Sequence, residues 1–377
     1  MSPIETTTCL STEVLDPMKR DFVGKDEVID LLGICLIGGE NLFILGPPGT
    51  AKSALVHQLA ARLEGKTFDY LLTRFTEPNE LFGPFDIRKL RDGELQTNTE
   101  GMLPEASLVF LDELLNANSA ILNSLLVALN ERLFRRGKET RPLAALMFVG
   151  ASNHLPEDDA LHALFDRFLL RVPCDNVPGE RLPDVLTAGW KLASGTTSKS
   201  TLHFDDLRRA QSALGGVELG AVRQAFAELV HRIRHAGIPV SDRRAVKLQR
   251  VIAASALLSG RTEARLSDLW VVRHIWDSEE QQDVLASLVD QTIARQETAT
   301  GDHPRARCAD GPDSESLARD LDAIAASLSG GALPDVEKCY LRDRLGILEG
   351  RCQWVKDSAA RDWLTKRVGE LWPSLKL

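Results

Sequence analysis

Residues Gly46–Ser53 read GPPGTAKS, and the stretches on either side of them decide the fold. The apolar run NLFIL (Asn41–Leu45) comes before, and ALVHQLAARL (Ala54–Leu63) comes after. Strand, glycine loop and helix in that order make a phosphate-cradling loop, a P-loop. In such a loop the backbone N–H groups and the helix N-terminus gather around an anion. Gly46, Pro47, Pro48, Gly49, Thr50 and Ala51 are the expected cradle. Gly49 lacks a Cβ and so lets the backbone approach phosphate closely. Lys52 is placed to reach the β- and γ-phosphates, and Ser53 to ligate Mg²⁺. One departure stands out: Ala51 occupies a position where the strict pattern has Gly. A chance Gly/Pro turn ahead of a helix is the weaker reading, given this placement.

A second element lies downstream. SLVFLDE (Ser107–Glu113) is a short apolar run ending in two acids. Buried parallel strands read this way, and ligands gather at their carboxyl ends. Asp112 is then the residue for the Mg²⁺ water shell, and Glu113 the one to polarise an attacking water. Taken alone, the same letters also suit a helix start with acids at its positive end. A third apolar run, AALMFVGASN (Ala144–Asn153), ends in Asn153. That amide is either a group that orients water or the γ-phosphate, or a plain turn residue or N-cap.

Composition narrows the class. At 377 residues the chain suits two or three domains. Its 44% hydrophobic and 26% charged residues are ordinary for a soluble globular protein. No apolar run approaches the length of a membrane span. MSPIETTTCLSTEV has neither a basic nor an apolar leader region, so no signal peptide is expected. Six scattered cysteines (Cys9, Cys35, Cys174, Cys308, Cys339 and Cys352) lack CxxC spacing and read as reduced cytoplasmic thiols. A net charge of −9 argues against sequence-independent nucleic-acid binding as the main activity.

Along the chain, residues 1–20 read as a poorly structured extension. Strands alternate with helices over 21–176, as in an α/β domain built on a parallel sheet. The expected strands are Leu42–Leu45, Tyr70–Phe75, Leu108–Leu111, Leu146–Ala151 and Phe168–Val172. Phe85–Ala106 carries Asp92-Gly93, a hairpin signal, and LFRRGKETRPLAAL offers a second hairpin around Gly137-Lys138. Residues 177–296 turn helical. The stretch 297–316, rich in Gly, Pro, Asp and Ser, reads as a linker. Residues 317–377 carry three further helical periods, a candidate small bundle. Trp354, Trp363 and Trp372 are expected to pack within it.

From Asp21 to about Gln296 the chain resembles the MoxR family of AAA+ ATPases, most closely its RavA subfamily. The resemblance rests on ENLFILGPPGTAKS, TRFTEPNELFGPFDI, EGMLPEASLVFLDE, SAILNSLLVALNERLFRRG, ASNHLPE, ALFDRFLLRV and SDRRAVKLQRVIAASALLSGR, in that order. It implies a five-stranded AAA+ sheet, a helical lid and a homo-oligomeric ring, usually a hexamer. It also implies Mg²⁺-dependent hydrolysis of ATP to ADP at Lys52, Ser53, Asp112 and Glu113, with Asn153 as first sensor. Arg167 matches the finger that reaches a neighbouring subunit's γ-phosphate. Arg243, or Arg244 beside it, matches the second sensor on the lid. Phe22, Val23 and Gly24 match the segment lying along adenine. The Phe85–Ala106 hairpin matches an insertion pointing toward the ring's pore or face. The family's members act as chaperone-type remodellers of protein clients, often with a von Willebrand A domain partner. RavA has a β-rich domain among its C-terminal helices; Glu297–Leu377 is too short and too helical to contain one.

Two other readings use the same residues: a nucleotide-gated scaffold with slow hydrolysis, and a nucleic-acid motor. Against the motor, the expected hairpin tip, Asp92-Gly93-Glu94, is acidic, although Arg88, Lys89 and Arg91 precede it. His231 and His235 share a helical face without a third ligand, which is a poor metal site. The cluster Arg132, Arg135, Arg136, Lys138 and Arg141 suits a subunit interface or a solvated surface better than nucleic acid.

Overall fold

The computed structural model describes residues 1–86, 89, 91, 96–136, 139–194, 200, 202–296, 299–306, 314–329, 335–352, 355 and 358–375. The chain divides into two compact units, Met1–Ala306 and Arg307–Leu377.

The first unit begins with helices, contrary to the reading of residues 1–20 as poorly structured. Helix α1 (Pro3–Cys9) opens on a capping box in which Ser2 and Glu5 exchange side-chain and backbone bonds. Leu10–Leu15 is wound as a π-helix and runs into α2 (Asp16–Asp21). Leu10, Val14 and Met18, spaced four apart, are fully buried, and Thr7 Oγ1 donates to the Leu257 carbonyl at 2.9 Å. The segment is therefore part of the core, held by an apolar stripe that threonines on either side conceal in composition.

Helix α3 (Asp26–Gly38) is buried along most of its length and leads to β1 (Leu42–Leu45). After the loop come α4 (Lys52–Arg62), β2 (Thr67–Leu71), the short α5 (Pro78–Phe82) and β3 (Leu108–Asp112). Helix α6 (Ser119–Glu131) precedes an antiparallel pair, β4 (Leu133–Arg136) and β5 (Glu139–Pro142), in which Leu133 faces Pro142. Then follow β6 (Met147–Ser152), α7 (Asp159–Phe165) and β7 (Leu170–Pro173).

Five of these strands form one parallel sheet in the order β2-β3-β6-β1-β7. β1 lies between β6 and β7, with Leu42 level with both Val149 and Leu170. Strands β1 and β6 are buried on both faces, as parallel strands between helical layers must be.

Two expected strands shift. β2 starts at Thr67 and has ended before Phe75, because Thr73–Thr76 is pulled into a turn. The Thr73 N–H donates to Thr76 Oγ1, and Asn118 Nδ2 donates to the carbonyls of Arg74 and Thr76. β7 starts at Leu170 rather than Phe168, because the Arg167 and Phe168 N–H groups still bond carbonyls of α7.

The helical part comprises α8 (Leu182–Ser194), α9 (Phe204–Ala213), α10 (Gly220–His235), α11 (Asp242–Leu258), a 3₁₀ stretch Leu266–His274 and α12 (Glu280–Ile293). Part of the expected linker belongs to this unit. Residues 299–306 form a strap: His303 stacks on Trp270 with 4.7 Å between ring centroids, and Ala306 is buried. Arg305 pairs with Asp26 and Asp30 of α3 at 3.0 and 3.2 Å. Composition missed the strap because its anchors are one histidine and one arginine rather than an apolar run.

In the second unit, α13 (Ser314–Ser329), α14 (Asp335–Cys352) and α15 (Ser358–Leu371) bury Leu317, Leu321, Ile324, Leu345, Leu364 and Val368 together. Trp372 packs there and donates to Glu349 at 3.0 Å, but Trp363 is half exposed rather than packed. Trp354 lies outside the described residues, as do the hairpin turns at Asp92-Gly93 and Gly137-Lys138. What is described of the first hairpin is its base, where Phe85 bridges Thr97 in antiparallel fashion.

Candidate nucleotide site

The loop after β1 is fixed at both ends by the sheet. The Gly46 N–H donates to the Ser152 carbonyl at 3.1 Å, and the Cys174 N–H to the Leu45 carbonyl at 2.7 Å. A Cβ at Gly46 would lie 2.2 Å from the Cys174 carbonyl oxygen, so no other residue fits there. Gly49, at φ +86°, faces open space and leaves the backbone bare toward the cleft. Thr50 Oγ1 closes the loop on the Pro47 carbonyl at 2.9 Å.

Lys52 is buried. Its ammonium donates to the Gly46 carbonyl at 2.6 Å and the Pro47 carbonyl at 3.0 Å. An ammonium has three donors, so one more can be directed at an anion. Pro48, Gly49, Lys52, Ser53, Asp112 and Glu113 are among the residues lining one open cleft of about 350 Å³.

Ala51 takes the strain of the departure from Gly. It stands at φ +70°, ψ +20°, the left-handed region, as the N-cap of α4. An L-residue pays roughly 1–2 kcal/mol there and Gly does not. Ala51→Gly is expected to raise stability by about 1 kcal/mol. Chemical denaturation of the two proteins checks this, and an unchanged midpoint would mean that the strain is relieved elsewhere.

The carboxyl ends of β3 and β6 meet this loop. Ser53 Oγ donates to Asp112 Oδ2 at 2.7 Å, and Asp112 Oδ1 accepts from the Glu113 N–H at 3.0 Å. Glu113 is also left-handed, at φ +50°, ψ +44°, and half-buried. Backbone strain in a non-glycine residue concentrates at functional sites. Asn153 follows β6, the strand between β3 and β1, and is exposed, outside the residues that line the cleft.

Hard oxygen donors such as Ser53 and Asp112 suit Mg²⁺, which takes few protein ligands and keeps water and phosphate for the rest. Among the described residues no cluster of three or more His, Cys, Asp or Glu could cage a metal without such help.

Phe22, Val23 and Gly24 form the bend between α2 and α3. Phe22 is buried, and Gly24 at φ +74° lies against Val177. Lys25, next in sequence, donates to the Asp175 carbonyl just beyond β7.

Arg167 and Arg243 lie elsewhere. Arg167 precedes β7, and its carbonyl accepts from Asn41 Nδ2 at 2.9 Å, at the amino end of β1. The loop sits at the carboxyl end, about 13 Å away along a four-residue strand. Arg243 is exposed at the start of α11 and donates to Asn130 Oδ1 at 2.5 Å. Asp166, Arg167, Arg243 and Lys247 are among the residues lining one small cavity of about 40 Å³, and Arg167 pairs with Asp166 there at 2.8 Å. Arg244 also lines that cavity, but its guanidinium is engaged within the protein. It is buried, bonds the Ile275 carbonyl and pairs with Asp277 at 3.3 Å.

The basic cluster is mostly spent internally. Arg132 lies over Phe148 and donates to Gly39 and Asn41, with burial lowering its pKa to about 10. Arg136 lies 3.9 Å over the Phe85 ring and donates to the Gly83 carbonyl. Arg135 and Arg141 pair with Glu131 and Glu139.

This sheet order, loop and acidic strand end define an AAA+ ATPase. Residues 8–212 match the family model described as the MoxR domain in the MoxR-vWA-beta-propeller ternary systems, and 219–289 match an AAA lid domain. The chain belongs to the MoxR family. Two uncharacterized proteins of Methanocaldococcus jannaschii are 36% and 33% identical to it, over 70% and 71% of each chain. The chaperone MoxR1 of Mycobacterium tuberculosis is 28% identical over 41% of each chain. A crystal structure from Cytophaga hutchinsonii, provisionally assigned as an ATPase, superposes with a TM-score of 0.64 at 18% identity, covering 79% of this chain and 97% of that one. That likeness concerns the fold. These matches carry the family, and none of them carries the RavA subfamily.

Proposed function

We propose that the chain is a Mg²⁺-dependent ATP hydrolase that works as a ring of identical subunits, each site completed by its neighbour. The observation behind this reading is the separation of the two cation sets. Lys52 serves the cleft at the carboxyl edge of the sheet, while Arg167 and Arg243 share a cavity at the amino edge. An arginine at the amino edge cannot serve its own cleft, but in a head-to-tail ring it faces the next subunit's. Arg243 fits this role rather than Arg244, whose guanidinium is committed to Asp277.

In this reading the loop N–H groups and Lys52 hold the β- and γ-phosphates. Phe22, Val23 and Gly24 border the adenine. Ser53 and Asp112 would hold Mg²⁺, which would neutralise phosphate charge. Glu113 takes the proton of the attacking water, and Asn153 orients that water. The neighbour's Arg167 and Arg243 stabilise charge on the γ-oxygens, for which a planar, permanently charged guanidinium is suited. Binding and hydrolysis shift the lid and remodel protein clients, in company with a von Willebrand A domain protein. The matching family model, drawn from MoxR-vWA-beta-propeller systems, supports that partner. The machine works in the cytoplasm, whose reducing conditions suit the free thiols of Cys9, Cys35 and Cys174. Among the described residues no helix is long and apolar enough to cross a membrane.

ATP turnover per subunit, measured against protein concentration with Mg²⁺ present, tests the reading. The expected result is a steep rise to a plateau. A flat rate from particles whose mass is that of one subunit would end the between-subunit reading.

A further inference from the structure

We infer that Asp277 is a positioning residue that holds Arg167 and Arg243 as one fixed pair. The inference rests on the between-subunit reading above. Asp277 pairs with two arginines from different parts of the fold: Arg171 of β7 at 2.9 Å and Arg244 of α11 at 3.3 Å. Each is next to a cation of the shared cavity. Arg244 directly follows Arg243, and Arg171 lies four residues after Arg167.

The link to Arg167 runs through the end of α7. Arg171 is fully buried; its guanidinium lies 4.3 Å from the Phe165 ring centroid and donates to the Phe165 carbonyl at 3.3 Å. Phe165 stands two residues before Arg167, so the Arg171 side chain grips both sides of the turn that carries it. The same guanidinium donates to the Ile275 and Trp276 carbonyls at 3.1 and 3.0 Å, and Arg244 also bonds Ile275. Trp276 is itself buried. The carbonyls of Ile275 and Trp276 and the carboxylate of Asp277 thus join core strand to lid helix. The joint is stiff because a buried guanidinium has to keep its partners.

Two cations that must meet one phosphate on another subunit gain from being fixed in advance, since misplacing reacting groups by about 1 Å costs on the order of 10²-fold in rate. Without the Asp277 carboxylate the lid and the β7 turn lose their common anchor, and the two guanidinium groups no longer arrive together.

Asp277→Asn tests this in the full chain. The expected result is a kcat about 10²-fold lower, with the binding of a fluorescent ATP analogue unchanged and with Asp277→Glu recovering part of the loss. The variant is then diluted into an excess of Lys52→Ala subunits, which lack a working loop but present intact arginines. Each Asp277→Asn cleft now meets an intact neighbour. Turnover per Asp277→Asn subunit is expected to rise to that of wild-type subunits diluted in the same way. No rise, with the wild-type dilution active, would place the loss in the subunit's own cleft and overturn the positioning role; so would an unchanged kcat at the start. If wild-type subunits fall silent in the same mixture, the between-subunit reading fails instead, and the inference with it. Should Asp277→Asn not fold, Arg244→Met breaks only the lid half of the joint, leaves Asp277 paired with Arg171, and takes the same two measurements.

Discussion

Replacing Lys52 by Ala is expected to leave a folded protein with no measurable ATP binding. The ammonium does two jobs at once. It pins the Gly46 and Pro47 carbonyls that set the loop's curvature, and it directs a charge-assisted donor at the phosphates. A hydrogen bond to a charged group contributes about 1.5–3 kcal/mol, so losing one such contact already weakens binding by roughly 10- to 100-fold. Losing the loop's shape adds to this, because the N–H groups no longer converge. Titration with a fluorescent ATP analogue, alongside a thermal melt to establish folding, decides the matter. Wild-type affinity in this variant would sink the loop as the phosphate site.

Glu113→Gln is expected to separate binding from turnover. Gln keeps the length of the side chain and can adopt the same left-handed backbone, and the Asp112 carboxylate still accepts the residue's N–H. What disappears is the acceptor for the water's proton, a contribution of typically 10²- to 10⁴-fold. ATP should therefore bind as in wild type and stay intact on the protein. Phosphate release under single-turnover conditions is the measurement. A rate within a few-fold of wild type would remove Glu113 as the base.

The cleft could be read from the sequence because its parts are contiguous. GPPGTAKS and SLVFLDE each place several groups by local backbone geometry alone, and the parallel pairing of β1 and β3 with β6 between them brings both strand ends to one edge of the sheet. The position of Asn153, as the first residue past a buried strand, was legible for the same reason. The choice between Arg243 and Arg244 was not legible, since both follow the Ser241 N-cap at one helix start and only packing shows that the Arg244 guanidinium is engaged with Asp277 and the Ile275 carbonyl. The joint at Asp277 was invisible, because its partners come from β7 and α11, elements far from it in the chain. The N-terminal helices were within reach: Ser2-Pro3-Ile4-Glu5 is a helix-start signature, and Leu10, Val14 and Met18 keep helical spacing. β2 was misplaced because apolar letters in LLTRF continue past the point where Thr73, Thr76 and Asn118 fold the chain into a turn.

The strap over 299–306 bears on how such a chain can be recombined over evolutionary time. Composition invites a crossover near residue 296, where the polar stretch begins, but the first compact unit closes only at Ala306. A lineage exchanging one C-terminal appendage for another at the earlier point would carry away Arg305 and leave Asp26 and Asp30 on α3 without that cation, and Trp270 without the ring stacked on it. A crossover after Ala306 costs neither. The short stretch between α12 and Ala306 therefore travels with the first unit.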